Sequence, residues 1–162
     1  MLEQFAALCL GVHIFAGFLS LIIGLFSMVA PKRKGKHTMA GKLYHGLVLI
    51  VCVTAVIMAI LHWDVSSYLF YIALFSYAFA FYGYNAGKRK YKGWLSHHIS
   101  GMLGSYIAMV TALLVVNQEN IPLLNELPSL FVWFFPTIIG SPIIAFVTRK
   151  TLKVSPKTSV KL

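Results

Sequence analysis

The chain alternates five long apolar stretches with short polar ones. Residues 4–29, 41–61, 67–86, 96–117 and 128–148 contain a single charged side chain, Lys42. Each stretch meets the length of about 20 mostly apolar residues that a membrane-crossing helix needs. Helices apolar on all sides belong in a lipid environment or a large protein core, and a chain of 162 residues has no such core to offer five of them. The pattern therefore predicts an all-α integral membrane bundle of five transmembrane helices. Pro31 stops the first span, and His62, Trp63 and Asp64 mark the polar end of the second. The third is rich in Tyr and Phe. The fifth carries Pro136 and Pro142, which membrane helices tolerate.

Composition agrees with this. Hydrophobic residues make up 59% of the chain and charged residues 11%, against about 25% charged in soluble domains. All Lys and Arg fall in three segments, 31–42, 88–92 and 149–161. The four acidic residues, Glu3, Asp64, Glu119 and Glu126, fall between them. Cytoplasmic loops carry the excess of Lys and Arg, so the N-terminus is expected outside and the C-terminus inside a cell membrane. The expected organisation is one five-helix domain over 1–150 and a basic cytoplasmic tail over 151–162, with no soluble enzyme module. The net charge of +10 lies along one membrane face, which points to anionic lipid headgroups rather than nucleic acid. The first apolar run has no basic region before it and is too long for a signal peptide, so it is expected to be a true span.

Cys9 and Cys52 differ by roughly 12 Å in depth at 1.5 Å rise per residue, so no disulfide between them is expected. Ala16, Ser20 and Gly24 on span 1, and Gly101, Gly104, Ala108 and Ala112 on span 4, form stripes of small residues suited to close helix packing. A weak repeat joins the first two inner loops. Each has a basic cluster followed by His-x-x-x-Gly, at His37–Gly41 and His97–Gly101, as a duplicated two-helix hairpin would produce.

The charge pattern also sets the depth of the six histidines. His45 lies roughly 10 Å, and His98 roughly 13 Å, on the basic side of the span centres. Spans 2 and 4 run the same way, so these two can meet at one level. His37 and His97 lie slightly nearer the basic face. His13 lies on the opposite half of span 1, and His62 at the outer interface. No Asp or Glu lies within any span, which removes the intramembrane carboxylates usual in proton-coupled transporters and the general base of a zinc hydrolase. Histidine without acid suits bis-imidazole haem ligation between bundle helices. Lys32, Arg33, Lys88 and Arg89 are placed to pair with propionates.

The segment Trp94-Leu95-Ser96-His97-His98-Ile99-Ser100-Gly101, running on to Asn117, resembles the haem-bearing helix of the transmembrane ascorbate-type b cytochromes. His37 to Gly41 resembles a second helix start of that family, and His13 with Gly17 and Gly24 its early histidine helix. The chain also resembles small bacterial multi-pass membrane proteins without assigned function. The cytochrome resemblance implies a haem b and electron transfer, with quinone or a membrane redox protein as partner. Span 3 has no histidine, so His13 lacks a counterpart and one bis-histidine site remains. Span 4 offers His97 and His98 as its ligand, and His98 is the expected one. On span 2 the alignment selects His37, while depth selects His45, and His45 with His98 is the expected pair. Two other readings stand beside it. One is a zinc site drawn from His37, His45, His97 and His98. The other is a non-catalytic accessory or small-molecule-binding membrane protein.

Overall fold

The computed structural model describes residues 1–32 and 35–154. Arg33 and Lys34 of the first basic segment, and residues 155–162 of the expected tail, lie outside the described residues. Five long helices dominate: α1 (Leu2–Val29), α2 (Lys36–Leu61), α3 (Trp63–Arg89), α4 (Trp94–Val116) and α6 (Ser129–Val154). A 3-10 turn at Gln118–Asn120 and a short α5 (Pro122–Asn125) link the last two, and among the described residues there is no strand. All five long helices have the length and apolar character to cross a membrane.

The ends of the helices follow local chemistry. α1 ends at Val29, two residues before Pro31, whose ring cannot continue a helix. Lys32 then folds back, its Nζ donating to the carbonyls of Ser27 (2.9 Å) and Met28, and so caps the C-terminal end of α1. α3 closes on Lys90 in the left-handed conformation, with Lys88 and Arg89 in its last turn, where cations favour the helix dipole. α2 and α3 meet at a corner of one residue, His62, so the expected outer loop of several residues is absorbed into α3. α2 starts five residues before its apolar stretch, and α6 runs six residues past its own. Backbone hydrogen bonding carries a helix on through the polar interface after the hydrophobic pattern has ended.

α1 to α4 form an antiparallel bundle in which each helix packs along the next. α6 packs along α4 on the outside and turns most of its apolar surface outward. With lipid outside, packing relies on small residues. α1 buries Cys9, Ala16, Ser20 and Gly24, which includes the expected stripe. α4 buries Gly101, Ser105 and Met109, one step round from the Gly104–Ala108–Ala112 line. α3 has its own buried stripe, Ala73, Ser76, Ala80, Gly83 and Ala86. At its centre Gly83 and Gly101 bring two backbones together: a Cβ on either would stand 2.5 Å from the other helix's backbone. Cys9 and Cys52 are both buried free thiols.

The antiparallel connections gather the described Lys and Arg at one end of the bundle and the four acidic residues at the other. They are called the basic and acidic ends below.

Candidate functional site at the basic end

Four helices meet at the basic end, and two histidines face each other between them. The His37 and His98 ring centroids are 6.1 Å apart and their planes nearly perpendicular, at 86°. His37 sits in the first turn of α2, and its Nδ1 donates to the Ser27 carbonyl of α1 at 2.9 Å. His98 sits in the second turn of α4, and its Nδ1 donates to the Gly83 carbonyl of α3 at 2.9 Å. A carbonyl oxygen only accepts, so in each neutral ring the proton lies on Nδ1 and the lone pair on Nε2. Each histidine is thus oriented by the preceding helix of its own hairpin. The glycine four residues after the His of each His-x-x-x-Gly repeat also packs on that helix: Gly41 approaches Ser27, and Gly101 approaches Gly83.

Glycine makes room for this arrangement. A Cβ on Gly87 would lie 2.7 Å from His98 Nδ1, so the ring occupies the space a side chain would take. One turn deeper, Gly24 makes room for Tyr44 and Tyr106, whose rings lie 6.4 Å apart and bound the histidine level on its membrane side. Tyr44 is buried and shares a hydrogen bond of 2.9 Å with Ser105, while Tyr106 donates to the Leu21 carbonyl at 3.2 Å. Trp94 approaches His98 at 6.2 Å, and Lys90 lies over Trp94 at 5.6 Å. Near the same level, desolvation lowers the Lys32 pKa from its ordinary value.

The pairing differs from the depth-based expectation: His98 meets His37, and His45 stands elsewhere. The His45 ring stacks on Tyr84, centroids 4.2 Å apart and 15° from parallel, with Tyr77 at 5.7 Å. Its Nε2 is buried and, among the described residues, has no hydrogen-bond partner. His45 and His37 are eight residues apart on α2, about 12 Å along the axis. Depth alone put His45 level with His98, but the Gly83–Gly101 contact fixes which turn of α4 faces inward. His97 turns to the surface of the basic end, against Tyr91 (Nδ1 to hydroxyl 2.9 Å) and the Tyr82 ring. His13 lies apart on α1, where Nδ1 donates toward the Val51 carbonyl (3.1 Å) and Thr54 Oγ1 (3.0 Å). The Thr54 hydroxyl itself donates to the Ile50 carbonyl, so its oxygen accepts from His13. His62 remains exposed at the α2–α3 corner.

Among the described residues, no group of three or more His, Cys, Asp or Glu side chains is placed to hold a metal ion. The three or four protein ligands of a zinc site are therefore not assembled from His37, His45, His97 and His98. Sequence reading missed Ser27, Gly83 and Gly87. Only the spacing of small residues along α3 signals the two glycines, and its many aromatics obscure that spacing.

Bundle topology, apolar surface and charge segregation define the class, a multi-pass helical membrane protein. Residues 10–148 match the family described as "Predicted membrane protein (DUF2306)", and the chain belongs to that family. No curated protein and no solved structure matches it.

Proposed function

We propose that the protein binds one haem b at the basic end between His37 and His98 and serves electron transfer in the cell membrane, with quinol or a membrane redox protein as partner. The observation that carries this is the pair of imidazoles, each donating its Nδ1–H to a backbone carbonyl and, among the described residues, making no hydrogen bond through Nε2. Metal-bound histidines characteristically give their other ring N–H to such an acceptor, which fixes the tautomer and the orientation. His37 and His98, with ring centroids 6.1 Å apart, are the residues that would hold the haem iron. The donor set also fits, since bis-histidine haem needs two neutral imidazoles and no carboxylate. When bound, such a group supplies reversible one-electron transfer.

The chain's own residues then have defined roles. Ser27 and Gly83 orient the two rings. Gly87 leaves the His98 ring its place, and Tyr44 and Tyr106 close the membrane side. Lys88 and Arg89 supply positive charge for propionates at that end. The basic end faces the cytoplasm, by the excess of Lys and Arg on that side. The test is haem content after haem-supplemented expression and detergent purification. One haem per chain by pyridine haemochrome is expected; folded protein with none rejects the proposal.

A further inference from the structure

At the acidic end, away from the histidine pair, a cavity of about 850 Å3 opens between the start of α3, the end of α4, the α4–α6 connection and the start of α6. That volume falls in the usual range of small-molecule sites, about 300–1,000 Å3. Its walls include Tyr68 and Trp133, whose rings meet edge to face with centroids 6.4 Å apart. Gln118 donates its Nε2 to the carbonyls of Leu124 (3.3 Å) and Leu127 (2.9 Å). Both its amide protons are thereby used, and Oε1 is the atom left for a ligand. Glu119 lines the same cavity. Among the described residues, no Lys or Arg belongs to the segments that form this end, since 43–87 and 93–148 contain none.

We propose that this cavity binds a quaternary ammonium group, carried by a choline lipid headgroup or by a free organic cation. Two aromatic rings in the wall, a carboxylate and an amide oxygen all favour positive charge. Aromatic rings attract ammonium cations through their quadrupole, and enclosures of such rings are the recurrent means of recognising quaternary ammonium. An anion meets Glu119 with no Lys or Arg in the cavity wall to offset it, and a neutral ligand gains neither attraction. The position at the membrane interface suits a group that reaches it from the lipid surface.

The test uses the full chain in phosphatidylglycerol nanodiscs, with Trp63→Phe and Trp94→Phe so that Trp133 is the sole tryptophan reporter. Fluorescence titrations compare choline with its uncharged isostere 3,3-dimethylbutan-1-ol, and equilibrium dialysis with labelled choline serves as a second readout. Choline is expected to bind at least about tenfold more tightly than the isostere. Glu119→Gln, at an exposed position, should weaken choline by a similar factor and leave the isostere unchanged. In phosphatidylcholine discs, suppression of added-choline binding identifies the lipid headgroup as occupant, and undiminished binding identifies a free cation. Equal affinity for the isostere, an unaltered choline affinity in Glu119→Gln, or no choline binding by either readout in phosphatidylglycerol overturns the proposal.

Discussion

The Gly83–Gly101 crossing sets the whole arrangement of the basic end, and Gly83→Ala tests it. The new Cβ would lie 2.5 Å from the Met102 backbone nitrogen and 2.7 Å from the Gly101 carbonyl carbon, whereas ordinary contact begins at 3.4 Å. Both neighbours are backbone, so no rotamer change relieves the clash, and α3 and α4 must part by about 0.9 Å. The same movement stretches the 2.9 Å bond from His98 Nδ1 to the Gly83 carbonyl beyond about 3.6 Å, where no hydrogen bond remains. Overpacking of this kind costs about 1–3 kcal/mol, and the lost hydrogen bond about 0.5–1.5 kcal/mol more. Gly11→Ala is the control, because its Cβ meets nothing within 4 Å. The assay is thermal unfolding in a mild detergent, followed by circular dichroism. At about 2–4 °C per kcal/mol for a chain of this size, Gly83→Ala should lower the midpoint by several degrees, with Gly11→Ala unchanged or higher. A Gly83→Ala protein as stable as wild type would refute the close crossing and the seating of His98 that depends on it.

Other positions give separate tests. His45→Phe keeps the ring stacked on Tyr84 and removes a buried nitrogen that has no partner; stability should hold or rise by about 1 kcal/mol, and a marked loss in the same unfolding assay would show that Nε2 has a partner. Tyr44→Phe removes the buried bond to Ser105. A double-mutant cycle with Ser105→Ala should yield a coupling of about 0.5–1.5 kcal/mol, and a value near zero would exclude that bond. Thr54→Val leaves His13 with only the Val51 carbonyl and should cost about 1 kcal/mol, unless His13→Ala has already removed the partner, in which case the two changes do not add. Cys9 and Cys52 are buried, so in native protein both should resist a membrane-impermeant maleimide and label only on unfolding.

Much of the architecture is legible in the sequence. Five apolar runs separated by sparse charge leave few alternatives, because backbone groups in lipid must pair within helices. Pro31 marked the end of α1 for the same reason that it limits helices anywhere. Helix ends beyond the apolar runs were not legible: Lys36 and Arg89 lie in regular helix although their side chains are polar. The site was only partly legible. Depth can be counted from charge clusters, but rotation about the helix axis cannot. Residues Ser27, Gly83 and Gly87 supply that rotation through backbone carbonyls and missing side chains, which leave little trace in a hydrophobic pattern. Hence depth selects His45 as the partner of His98, whereas among the described residues the ring that meets His98 is that of His37.

The most direct measurement of the central claim is the reduced-minus-oxidised absorption spectrum of the purified protein beside its histidine variants. Wild type and His45→Ala should both show the Soret and α bands of a six-coordinate b-type haem, while His37→Ala and His98→Ala should each lose them or convert to a five-coordinate spectrum. Bands that survive in His37→Ala and vanish in His45→Ala, or that are absent from folded wild-type protein, would contradict the account.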